Sequence, residues 1–131
     1  MAASSANLHE NEQQLRPETI DRHRATASLM EELEAVDWYD QRIDAAGDAE
    51  LKELLAHNRD EEKEHAAMML EWLRRRDAKL DEHLRTYLFT DKPILEIEEE
   101  AEHGDEEGAG SGDQGCLNIG SLREERAGRR G

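Results

Sequence analysis

The sequence predicts an all-α protein: two long helices folded back on each other as an antiparallel hairpin, followed by a short third helix. Two amphipathic stripes and one tight connection carry this expectation. Apolar residues recur at spacings of three and four through residues 29 to 43, and again through residues 51 to 73, the pattern of helices that each bury one face. The link around Gly47 and Asp48 is so short that the two helices must be antiparallel neighbours.

The elements follow in order along the chain. Residues 1–16, MAASSANLHENEQQLR, are small and polar with no period that could bury a face, and are expected to form a disordered arm. Pro17, followed by Glu18 and Asp21, suits a helix start, because proline fits the first turn and acids face the positive end of the dipole. Leu29, Leu33, Val36 and Ile43 define its stripe and Gly47 suits a stop, so helix one is expected over about 17 to 46. Asp48 fits the N-cap of helix two, expected over about 49 to 76. A shorter helical segment is expected around Leu80 to Phe89, with Thr90, Asp91 and Pro93 marking a break after it.

The helical domain is therefore placed at residues 17–95. Residues 96–115 turn acidic and then glycine-rich, in EIEEEAEHGDEE and GDEEGAGSGDQG, and are expected to be a linker. Beyond it, CLNIGSLR is an isolated apolar octamer with no core of its own to join, followed by the polar EERAGRRG, and residues 116–131 read as a binding tail. Only roughly 80 residues remain to build a core, which is small for a self-sufficient domain and favours an oligomer.

The net charge of −16 argues against nucleic acid and anionic membranes as partners. Half of that charge is the eight acids of residues 96–107, a segment without Lys or Arg. The single cysteine, Cys116, excludes an intramolecular disulfide framework, and no apolar run approaches the roughly 20 residues that cross a bilayer. These features read as a soluble, intracellular protein.

Polar residues interrupt the stripe of helix two. Leu51, Leu54, Leu55, Asn58, Glu62, His65, Met69, Trp72 and Leu73 share it, and at 100° per residue Glu62 and His65 lie within about 60° of each other at its centre. Burying such groups unpaired would cost several kcal/mol, so a compensating partner is required, and a metal ion is one. On helix one, Glu32 and Tyr39 flank the stripe and can turn toward helix two, whereas Glu31, Glu34 and Trp38 share nearly the opposite side.

A carboxylate from one helix and Glu-x-x-His from another is half of the donor set of carboxylate-bridged di-iron and di-manganese bundles. Hard carboxylates and imidazole suit iron. Two copies related by a two-fold axis would supply four helices, with Glu32, Glu62 and His65 from each. Glu-x-x-His alone is a weak signal. The competing reading leaves Glu62 and His65 solvated or paired with Arg59, Tyr39 at the core edge, and Glu31 and Glu34 on a solvated face.

MEELEAVDWYDQR (30–42), HNRDEEKEHAAMMLEWLRRRD (57–77) and LRTYLF (84–89) resemble the encapsulated ferritins, a two-helix branch of the ferritin-like superfamily, and LNIGSLR is similar to the targeting peptides that dock cargo inside encapsulin shells. The resemblance covers roughly residues 17 to 95, plus the tail. It implies a ferritin-like four-helix bundle completed by homodimerisation, and a ferroxidase centre of two iron ions at the dimer interface. Dimers would assemble into an open ring, typically a decamer. Glu32, Glu62 and His65 would be the iron ligands, with Tyr39 close to the centre as part of the catalytic set. Glu31 and Glu34, beside Trp38, would form a secondary site through which metal enters, and Ca(II) or Zn(II) would be able to occupy the sites in vitro. Leu117, Ile119, Gly120, Ser121, Leu122 and Arg123 would dock on the shell protein, placing the chain in the cytoplasm inside an encapsulin nanocompartment. The departure from the family pattern is the eight residues that follow the targeting motif.

Two alternatives belong to other classes: a helical assembly protein stabilised by Zn(II) or Ca(II) without redox chemistry, and an adaptor that needs only the tail. A rubrerythrin-like peroxidase would normally carry both halves of the site in one chain, and the cysteine motif of a rubredoxin domain is absent.

Overall fold

The computed structural model describes residues 7–110. Among them the regular structure is four α-helices and one 3₁₀ turn, with no strand, in agreement with the all-α expectation. The chain divides into two units, one running through Asp81 and the other beginning at Glu82.

The first unit opens with the 3₁₀ turn Glu12–Gln14. This stretch was expected to be disordered, but the Asn11 side chain accepts a hydrogen bond from the Gln13 backbone N–H at 3.1 Å and organises the turn. Helix α1 is Pro17–Ala45, with proline at the helix start and Glu18 in the first turn. It ends where Ala46 takes an extended backbone (φ −71°, ψ 140°) while its N–H still reaches the Arg42 carbonyl at 2.8 Å. Asp48 then caps α2 (Ala49–Arg75), its carboxylate accepting from the Leu51 N–H at 2.8 Å. The Asp77 carboxylate repeats the device for α3 (Ala78–Tyr87), accepting from the backbone N–H groups of Lys79 and Leu80 at 3.1 and 3.0 Å.

In the second unit α3 ends in a turn at Phe89, which has a φ of 60° in the left-handed region that usually takes glycine at a helix end. The Thr90 hydroxyl donates to the Tyr87 carbonyl at 2.6 Å. Helix α4, Ile94–Gly110, corrects the expected linker. Ile94, Ile97 and Ala101 recur at helical spacing, Ile97 is buried, and Lys92 reaches across two turns to Glu100 at 3.0 Å. Acidic composition concealed a local helical period.

Helices α1 and α2 pack against each other as the expected hairpin. Ala25, Ala66 and Leu73 are buried along it, and small side chains at the first two let the backbones approach closely. Leu29 and Val36 are half-buried, but Leu33, expected on the same stripe, is 55% exposed. It lies about 100° round the helix from Glu32, which faces the seam. Leu51 and Leu54 are likewise exposed rather than packed. Two helices share only one mutual face, so the outer parts of wide apolar stripes stay uncovered. No helix among the described residues is long and apolar enough to cross a membrane.

Gly47, expected to stop α1, has neither a left-handed backbone nor any atom within 4 Å of where a Cβ would stand. Gly47→Ala is therefore expected to leave stability unchanged or raise it, by about 0.4–1 kcal/mol, as it restricts the unfolded chain. Denaturant unfolding checks this, with a marked loss of stability as the contrary result.

Candidate metal centre

The hairpin register sets Glu32 of α1 against Glu62 and His65 of α2. One ligand atom from each of the three lies within 4.8 Å of the others. His65 Nδ1 is 3.3 Å from Glu62 Oε2, as the three-residue spacing on one helix allows, and 3.8 Å from Glu32 Oε2 across the seam. The carboxylates are 27% and 24% exposed, whereas the imidazole at the margin is 50% exposed. The centre is thus sunk between the helices and open on the His65 side.

Two carboxyl groups so close cannot both hold a charge cheaply. Glu32 is raised above the usual carboxylate range, first by its hydrogen bond to Glu62, then by partial burial and by the Glu62 charge, with His65 opposing. Glu62 is held below that range because it accepts this hydrogen bond, and His65 helps to keep it ionised. The opposite shifts mean that a proton at this pair is held more readily on Glu32 than on Glu62. A divalent cation would replace that proton and neutralise both carboxylates, and two hard oxygens with one imidazole nitrogen suit iron and other divalent metals. One chain offers three side-chain donors here, fewer than a complete coordination sphere needs.

Arg59, the competing partner for Glu62 and His65, is committed elsewhere. It donates to Asp40 at 2.9 Å across the seam and to Asp60 at 3.1 Å. The Asp40–Arg59 bridge is a cross-helix link that sequence reading missed; its only signal was a charge of each sign at the stripe edges of facing helices. Tyr39 is half-buried two turns along α1 from Glu32, with the Arg42 guanidinium 5.6 Å from its ring. Glu31, Glu34 and Trp38 lie outside the three-residue group; Glu31 and Trp38 are exposed and Glu34 is half-buried. The docking residues Leu117, Ile119, Gly120, Ser121, Leu122 and Arg123 fall outside the described residues.

A helical hairpin that sets Glu-x-x-His against a carboxylate of its partner helix has the architecture of half a ferritin-like bundle. Residues 7–91 match the family described as EncFtn-like, and the chain belongs to that family. It is 61% identical over 133 aligned positions to the encapsulated ferritin-like protein of Rhodospirillum rubrum, covering 97% of this chain and 95% of that one. It is 56% identical over 102 positions to the ferritin-like protein of Thermotoga maritima, covering 78% of this chain and 90% of that one. The crystal structure of a protein from Nitrosomonas europaea superposes with a TM-score of 0.66 at 62% identity, covering 67% of this chain and 97% of that one.

Cation binding should compete with a proton on Glu32, whose pKa is raised. Affinity is expected to fall as pH drops through the raised pKa of Glu32, since the protonated form resists the metal. Calorimetric titration with Zn(II) in two buffers of different ionisation enthalpy checks this. Proton release that grows toward acid pH in the wild type and is smaller in Glu32→Gln is the expected result.

Proposed function

We propose that the chain is a ferroxidase, oxidising Fe(II) to Fe(III) at a two-iron site completed by a second copy. The reading rests above all on the convergence of Glu32, Glu62 and His65 within 4.8 Å. One set is half of a di-iron donor set, and a two-fold axis doubles it to four carboxylates and two imidazoles. The open side of the centre supports the same partner. Leu51, Leu54 and Met68 are exposed and lie within about 60° of His65 on α2, so a second hairpin covering His65 would bury apolar surface at the same time. Membership of the EncFtn-like family supports iron as the substrate.

In this reading the residues divide the work. Glu32 and Glu62 attract two ferrous ions and carry the charge that accumulates as each iron gives up one electron to dioxygen or peroxide. Carboxylates can change between terminal and bridging contacts as the iron charge rises, and His65 fixes the geometry at the margin. Tyr39 lines the neighbourhood of the centre. Glu31 and Glu34, with Trp38, collect cations on the outer side of α1, where Ca(II) or Zn(II) would also bind. Dimers join into a ring, which we take to be a decamer.

The destination of the oxidised iron follows from the tail. Leu117, Ile119 and Leu122 would enter an apolar groove of an encapsulin shell, Gly120 permitting a close turn, Ser121 and Arg123 contacting the rim. The relative in Rhodospirillum rubrum is named for encapsulation, and its similarity reaches all but about 3% of this chain, so most of the tail is included. The shell would then hold the mineral and place the protein in a cytoplasmic nanocompartment.

Anaerobic loading with Fe(II) followed by air, tracked by ferric absorbance, tests the chemistry. Oxidation should saturate near one iron per chain and fall at least roughly a hundredfold in Glu32→Ala, Glu62→Ala or His65→Ala, in line with the loss of a metal ligand. Metal-dependent oligomerisation without oxidation would replace this reading with a structural metal site. Deletion of residues 116–131 should abolish co-purification with the shell protein while leaving oxidation intact, and unchanged co-purification would remove the targeting role.

A further inference from the structure

Although the chain carries a net charge of −16, guanidinium groups collect at the end of the hairpin remote from Gly47. A groove of about 590 Å³ there is lined by Arg16, Glu18, Asp21 and Arg22 from the start of α1 and by Trp72 and Arg76 from the end of α2. The acids around it are engaged with other groups. Glu71 accepts from Arg74 at 2.6 Å and from Arg75 at 2.7 Å, and Arg74 also holds Asp81. Asp77 accepts from the backbone at the start of α3, and Asp21 pairs with Arg24 at 2.8 Å. Among the described residues no ion pair engages Arg16, Arg22 or Arg76. Even with Glu18 set against one of these three guanidinia, two positive charges stay uncompensated, and a phosphate group carries about two negative ones at neutral pH.

The geometry and the residue types suit that ligand. Arg76 lies 3.8 Å from the centroid of the Trp72 ring and donates to the Trp72 carbonyl at 3.2 Å, so its guanidinium is held in place with further N–H groups to spare. Arg22 is half-buried, which also limits its freedom. Side chains ordered in advance lose little entropy when they take a ligand. All the cations lining the groove are arginines, whose planar fork matches two oxygens of a tetrahedral oxyanion where lysine would offer a point charge. One face of the Trp72 ring is already covered by Arg76, so that face holds a donor in position rather than a base or other flat ring.

We infer that this groove binds a phosphate group through Arg16, Arg22 and Arg76 beside the Trp72 ring. Its donors come from both long helices, so the bound anion ties the start of α1 to the end of α2 and relieves the repulsion among the three guanidinia. Binding to the folded hairpin alone stabilises it by mass action. None of Glu32, Glu62 or His65 lines the groove, and the inference does not rest on the ferroxidase reading.

Titration of the metal-free, full-length chain with inorganic phosphate tests this. Trp38→Phe removes the other tryptophan, so its fluorescence reports on Trp72 alone. A saturable change is expected with phosphate and none with sodium chloride of equal ionic strength. Calorimetry should show affinity reduced roughly tenfold or more in Arg16→Gln and in Arg22→Gln, in line with the loss of one charged hydrogen bond, and unchanged in Arg75→Gln, whose arginine is held by Glu71. No saturation up to about 10 mM phosphate, or equal weakening in Arg75→Gln, would overturn the site. Should a glutamine variant lose helicity by circular dichroism, Arg22→Lys keeps the charge without the fork; weaker binding is then expected, and unchanged binding would overturn the guanidinium assignment. Glycerol phosphate in parallel identifies the source: equal affinity supports the free ion, and a preference of roughly tenfold supports an ester of the same group.

Discussion

The face-to-face placement of Glu32 and Glu62 across the helix seam is the constraint around which the hairpin is arranged. Two carboxyl groups sharing one site repel unless a proton or a cation lies between them, and here the pair raises the pKa of Glu32 and lowers that of Glu62. The surrounding structure compensates for the mismatch. Ala25 and Ala66 let the helices approach closely in the seam, and Asp40 and Arg59 lock the register with a bridge of 2.9 Å. A cation held by this group would stabilise the folded hairpin by mass action.

The incompleteness of the core and of the centre has one cause. A pair of helices has a single mutual face, so Met30, Leu33, Leu51, Leu54 and Met68 remain exposed and His65 stands at an open margin. A solvated site is a poor place for metal chemistry, since water weakens the electrostatic grip of the ligands. The proposed second copy answers both deficits with one surface. Function and stability then depend on the same contact, so oligomeric state and ferroxidase activity would be lost together when that contact is broken.

Charge is also unevenly laid out along the molecule. The carboxylates of the centre lie in the seam, the uncommitted guanidinia lie at the far end of the hairpin, and α4 carries a separate row of carboxylates.

By itself, the sequence determined the helical hairpin. Pro17 and Asp48 mark the starts of α1 and α2 through their own backbone and side-chain chemistry, and the Glu62–His65 spacing puts both on one helical face. Those are properties of a single segment, and periodicity records them. Tertiary structure alone decided that Glu32 meets Glu62, that Arg59 turns to Asp40, and that Leu33 stays outside the seam. Each of these depends on the register and rotation of one helix against the other, which no single helix encodes. Helix α4 lies between the two cases, because the spacing of Ile94, Ile97 and Ala101 was present but outweighed by glycine and acid. There the helix rests on one buried isoleucine and an ion pair from Lys92 to Glu100, interactions that exist only once the turn before it has formed.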